Sequence, residues 1–323
     1  MRVEVVRMAD NPEQEVFDSA PDNWGRWGDD DQKGAVNYLT DEAVLEGVQT
    51  VSDGNVFTLG TPIGDDEGEP LWPERADAQH FMNIDHGHYA SGKADGVGTR
   101  ESADDLIHMY LHGATHFDAL GHVWYDGKLY NEFDQTTTMG GLQYCDIHPI
   151  ADHGVVGRGV LLDVARHRGV DHLDASARIT LRELRECAAE QETEIRDRSI
   201  LLVRSGWIER FYADDEDFYQ DPYREPGITY SDELVEWFDE KQIAAYCTDT
   251  VASEQTISNT TGTPHPLHPI FLRDLGIPLN ELCLLDDLAA DCADDGRYDM
   301  LYVGAPLKVR RASGAPANPV AIK

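Results

Sequence analysis

Gly159-Val-Leu-Leu-Asp-Val164 and Ile200-Leu-Leu-Val-Arg204 are the stretches that decide the fold class. Each is a short, continuous apolar run bounded by glycine or charge, the pattern of a strand buried on both faces. Between them Thr180 and Glu183 stand at capping-box spacing and open a helix to about Gln191. Further on, Ser231 begins a helix through Lys241, and Ala244 to Thr248 read as another strand. Strands alternating with helices of this length predict an α/β core. Upstream, Thr40 can cap a short helix with Asp41 and Glu42 in its first turn, and Val56 to Leu59 begin a strand. Residues 64–104 are rich in Gly, Asp and Glu and read as long surface loops. Residues 1–23 read as an irregular N-terminal arm, and residues 24–323 as a single domain with an acidic loop at Ala213 to Glu225.

The charge balance excludes whole classes of partner. The chain of 323 residues carries 61 acidic and 26 basic residues, a net charge of −35, and only 6 of the basic residues are lysines. Such a surface repels nucleic acid and anionic lipid. With 41% hydrophobic residues the chain folds, so the acid must lie on a real surface. Salt adaptation accounts for it: at molar salt the Debye length falls to about 3 Å, which screens the self-repulsion while carboxylates keep the surface hydrated. Five cysteines without a CxxC pair, and an N-terminus without an apolar run and cleavage site, predict a soluble cytoplasmic protein.

The chemistry concentrates in His112-Gly-Ala-Thr-His116-Phe-Asp118-Ala-Leu-Gly-His122. Three histidines and an aspartate fall within eleven residues of a chain that has 13 histidines in all. Histidines four apart face the same way on a helical turn, and Gly113 and Gly121 would give the backbone freedom to bring in the carboxylate. Two imidazoles and a carboxylate make a set for zinc, manganese or iron with positions left open. The zincin pattern needs Glu directly after the first histidine, and Gly113 stands there. Distant contributors can come from His265-Pro-Leu-His268-Pro through Glu281, where spacing leaves His265 and His268 as alternatives. Asp249 and Glu254 follow a predicted strand end and are outer candidates, and Cys247 reads as strand core. His80, His86 and His88 lie with Asp85 in the presumed loop region. No phosphate-binding glycine motif is present, which speaks against a nucleotide cofactor.

This signature resembles that of the cyclase superfamily of metal-dependent hydrolases, which includes bacterial kynurenine formamidase (arylformamidase) and isatin hydrolase. The resemblance extends to Asn23-Trp24-Gly-Arg-Trp27 through Asn37, to Val123 through Tyr130, to Val156 through Asp163, and to Asn318 through Lys323. It implies a swivelling β/β/α fold with a central mixed sheet, assembled as a homodimer or homotetramer. It makes His112, His116, Asp118, His268 and Glu281 ligands of one or two divalent ions, Zn²⁺ or Mn²⁺, with Asp118 able to bridge. His122 would be the proton donor and acceptor, and Trp24 and Trp27 would wall the pocket of a small-molecule substrate. The implied reaction is hydrolysis of a small, aryl amide or lactam by metal-activated water. A lactone hydrolase, a dehydratase or cyclase on the same ions, and a metal- or ligand-binding protein without turnover remain the alternatives. Leu120 stands where the formamidase signature usually has proline.

Overall fold

The structure is a computed structural model that describes residues 12–66, 68–213 and 215–323. Nine strands form one curled mixed sheet. In chain order they are β1 (Val56–Thr58), β2 (His116–Asp118), β3 (Val155–Asp163), β4 (Ile200–Arg204), β5 (Ala245–Thr248), β6 (Leu279–Glu281), β7 (Asp299–Gly304), β8 (Gly314–Pro316) and β9 (Val320–Ile322). Their spatial order is β1-β9-β7-β3-β4-β5-β6-β2-β8. The four central strands β3, β4, β5 and β6 run parallel, and every other pairing is antiparallel. Strand β3 spans nine residues and is buried along nearly its whole length, as its apolar run requires.

Helices lie where their caps put them. The Thr40 side chain accepts from the Ala43 N–H at the start of Asp41–Val48. Thr180 accepts from the Glu183 N–H at the start of Leu181–Glu190, and Ser231 from the Leu234 N–H at the start of Asp232–Glu240. The last two helices bury Leu184, Cys187, Leu234 and Phe238 in the core that also takes the strand side chains. All five cysteines are free and buried; Cys247 sits within β5, where burial pushes its thiol up to about 12.

Two sequence expectations are corrected. The presumed irregular arm contains a helix, Pro12–Ser19, from which Phe17 stacks on Tyr125 at 4.1 Å; residues 1–11 lie outside the described residues. The presumed loops of 64–104 contain half of an antiparallel hairpin, Gln79–Ile84 paired with Asp104–His108, and a short helix His86–Ala90. Five of six residues in the first hairpin strand and all of the second are exposed, so no inside-outside alternation marked them in the sequence.

The N-terminal tryptophan segment is packed against the segment that carries the distant site residues. Asn23 N donates to the Asp274 carbonyl and Ala35 N to the Gly276 carbonyl. A Cβ at Gly34, whose φ is +58°, would stand 2.2 Å from the Gly276 oxygen, so only glycine allows this approach.

Candidate metal centre

The site is built on the adjacent strands β6, β2 and β8, at the end of the sheet where β8 is the edge. His116 and Asp118 lie two apart on β2, so both side chains project from the same face while Phe117 points into the core. This corrects the expected helical turn: the shared face comes from a strand period of two, and His112 is delivered by the turn before the strand. Glu281 on β6 is directly opposite His116, which puts its carboxylate beside the imidazole. Gly314 on β8 is opposite Asp118, and a Cβ there would lie 2.6 Å from the His112 ring. Gly113 and Gly121 matter for close packing, against the Tyr110 carbonyl and against Cys145.

These registers produce a dense cluster. His116 Nε2 lies 3.3 Å from Asp118 Oδ1 and 3.3 Å from Glu281 Oε2. His268 Nε2 approaches Asp118 Oδ2 at 3.3 Å and Glu281 Oε1 at 3.6 Å. His112 Nδ1 is 2.7 Å from Asp118 Oδ1, and its ring stacks on His122 at 4.3 Å. His112, His116, Asp118, His268 and Glu281 are all buried. The structure thus brings together all five sequence-predicted ligands. The alternative His265 faces Trp72 at 5.5 Å instead, on the wall of the adjoining cavity.

Outer contacts fix these side chains. His116 Nδ1 is 2.7 Å from the Ala114 carbonyl, an acceptor only, so Nδ1 carries hydrogen and Nε2 is the nitrogen turned to the carboxylates. Ser253 Oγ donates to Glu281 Oε1 at 2.9 Å, and His112 Nε2 meets Ser313 Oγ at 3.0 Å. Glu254 accepts from the backbone N–H groups of Leu267 and His268, holding the turn that carries His268. Asp249 serves a different place: it accepts from Ser205 and Gly206 and shapes the end of β4. Neither Ser253 nor Ser313 was marked by any local sequence pattern.

The donor set fits a divalent ion. His116 Nε2 and Asp118 Oδ2 are buried and have no hydrogen-bond partner. Buried atoms left in this way are costly unless a cation or a proton completes them. Burial opposes protonation of His116, yet the Asp118 and Glu281 carboxylates at 3.3 Å from Nε2 outweigh it and push the imidazole up to about 9, so a positive charge is favoured at this point. Two groups of ligand atoms share Asp118: His116, Asp118 and Glu281, and His112, Asp118 and His122, with the atoms in each within 4.8 Å of one another. Imidazole nitrogens with carboxylate oxygens suit zinc, manganese or iron.

The cluster opens onto a cavity of about 520 Å³ whose lining includes Phe17, Trp72, Trp124 and Tyr125 as well as His122, His268 and Glu281. Trp24 and Trp27 are not in its lining. Trp24 Nε1 donates to the Arg273 carbonyl at 2.7 Å, and the Arg273 guanidinium stacks on it at 4.5 Å. Trp27 packs edge-on against Tyr38. The aromatic wall therefore comes from positions that only the tertiary fold gathers. Leu120 is fully buried in the core.

Comparison with known proteins places this geometry. The profile of the family described as "Putative cyclase" matches residues 57–255, more than half of the chain. The chain belongs to the putative cyclase family. A crystal structure of a novel cyclase is 35% identical, covering 94% of this chain and 99% of that one, with a TM-score of 0.84. Isatin hydrolase A from Ralstonia solanacearum is 19% identical over 87% of this chain and 97% of its own, with a TM-score of 0.61. An isatin hydrolase bound to the product analogue thioisatinate is 18% identical over 87% and 98%, with a TM-score of 0.59. These last two share the fold with this cyclase-family chain. No curated protein matches it. Among the described residues no helix is long and apolar enough to cross a membrane.

Proposed function

We propose that the chain is a metal-dependent hydrolase of a small, aryl amide or lactam, similar in chemistry to kynurenine formamidase. The observation that carries this reading is a buried cluster of two histidines and two carboxylates opening onto an aromatic-walled cavity, with His122 at the junction. A cavity of this size takes an aryl ring and one carbonyl group. Zinc or manganese, as one or two ions, is the cation class the ligands suit. When bound, it would lower the pKa of a coordinated water to about 7 and polarise a carbonyl.

The remaining work falls to the chain's own residues. His112, His116, Asp118, His268 and Glu281 would hold the cation, and Ala114, Ser253 and Glu254 fix the orientation of His116, Glu281 and His268. His122 is placed to accept the proton of the attacking water and return it to the departing nitrogen; burial keeps its imidazole neutral, and the Asp118 carboxylate beside it favours the imidazolium once the proton arrives. The aromatic residues stack the ring and exclude water. Hydrolysis of a cyclic amide such as isatin is the second reading, and the fold shared with isatin hydrolases supports it.

A hydrolysis screen of N-formylanilines, N-formylkynurenine, isatin, lactams and lactones, with metal content measured on the same sample, tests the reading. Turnover of a formylated aniline or lactam at a rate that tracks metal content is expected. Turnover of none of them by metal-replete protein contradicts it. The assay belongs in high KCl, because we take the −35 charge to be salt adaptation; equal resistance to unfolding in dilute buffer would overturn that reading. We further take the chain to be a homodimer or homotetramer joined through the hairpin, which leaves Phe81, Met82, Leu106 and Ile107 exposed. A monomer by light scattering would refute this.

A further inference from the structure

We propose that Arg75 is the residue that selects the substrate, by pairing with a carboxylate or other anionic group on the ring that enters the cavity. The inference rests on reading that cavity as the substrate site. Arg75 lines it together with Trp72, Trp124 and Tyr125, and brings a permanent positive charge to an otherwise largely aromatic wall.

Two observations set this arginine apart. First, the four buried arginines each have a carboxylate partner: Arg158 with Asp299, Arg204 with Asp163, Arg210 with Asp215 and Arg273 with Asp274. Arg75 is half-buried and, among the described residues, has no ion pair, in a chain that carries 61 carboxylates; half-buried Arg224 also has none, but of the two only Arg75 lines the cavity. A partly desolvated guanidinium left unpaired is costly, so in so acidic a protein its partner comes from outside. Second, its Nη1 donates to the His112 carbonyl at 2.7 Å, which tethers the side chain beside the ligand cluster. A guanidinium has five N–H donors in a fixed fork, so donors remain to grip a carboxylate. The acidic surface repels an anionic ligand in general, so a local cation inside the cavity is what makes one acceptable.

The test is the quenching of intrinsic tryptophan fluorescence, since Trp72 and Trp124 line the cavity, by 2-nitrobenzoate and by its neutral counterpart 2-nitrobenzamide. Both are titrated into metal-loaded wild type, Arg75→Gln and Arg75→Lys at one KCl concentration. The expected result is that the benzoate binds tighter than the benzamide in wild type, and that this preference falls about tenfold or more in Arg75→Gln. Arg75→Lys should keep part of it, with the benzamide affinity unmoved in both variants. An unchanged preference in Arg75→Gln overturns the inference. So does an equal weakening of both probes, which would make Arg75 only a tether for the His112 turn, or no quenching by either. Because binding is read without turnover, these outcomes stand apart from whether the chain hydrolyses anything.

Discussion

The site edge of the sheet and the 79–108 hairpin use the same side chains to opposite ends. In the hairpin region His80 pairs with Asp105 at 2.6 Å, His86 with Glu101 at 2.7 Å and His88 with Asp85 at 2.7 Å, all open to solvent to a third or more. At the sheet edge His116 and Asp118 have under 2% of their side chains exposed, and each keeps a buried polar atom without a partner. Histidine beside carboxylate is thus no signature of chemistry by itself. What marks a site is that the pairing remains incomplete where water cannot complete it.

This contrast can be broken in four ways. The largest effect is expected from stripping the metal: dialysis against a chelator should abolish hydrolysis, and adding back zinc or manganese should restore it. Activity that survives the chelator would place the chemistry elsewhere. Next, His122→Ala should lower kcat by about 10²–10⁴-fold, the usual worth of a positioned acid or base, while elemental analysis finds the metal still present. Loss of the metal instead would make His122 a ligand within the His112–Asp118 group.

A smaller effect concerns stability. Glu225 is fully buried, with Oε2 accepting from the Val251 N–H at 2.9 Å and Oε1 unpartnered. Burial pushes its carboxyl from 4.5 up to about 8. The unfolded chain therefore loses this proton first as pH rises, and the group's effect is to reduce stability progressively between about pH 4.5 and 8. Glu225→Gln should flatten the fall in denaturation midpoint across that window; an identical slope would show that the carboxyl is not perturbed. Smallest of all, replacing His80, His86 and His88 together by glutamine should leave metal content and melting temperature unchanged, because exposed pairs contribute little. A lost metal equivalent would give the hairpin a binding role.

The same contrast explains what was legible in the sequence. Strands β3, β4 and β5 were legible because full burial writes continuous apolar runs, and three helices because their caps are local. The hairpin was not, since a strand exposed on both faces has no alternation and its segment is rich in turn formers. His112, His116, Asp118 and His122 stood out by density, but their geometry did not. A spacing of four fits a helix, and only the pairing of His116 with Glu281 shows that the operative spacing is the two of a strand. Phe17, Trp72, Arg75, Ser253 and Ser313 carry no local pattern at all. They reach the site through contacts between segments far apart in the chain, as Ser313 does to His112 across 201 residues.

The central claim, that strand-borne His116 and Asp118 with Glu281 and His268 hold a divalent ion, is met most directly by isothermal titration of zinc into chelator-stripped protein, wild type against Asp118→Asn. Wild type should bind one or two equivalents, and Asp118→Asn should lose affinity by more than the ~10–100-fold that an outer-sphere change costs. Equal stoichiometry and affinity in the two proteins would contradict it.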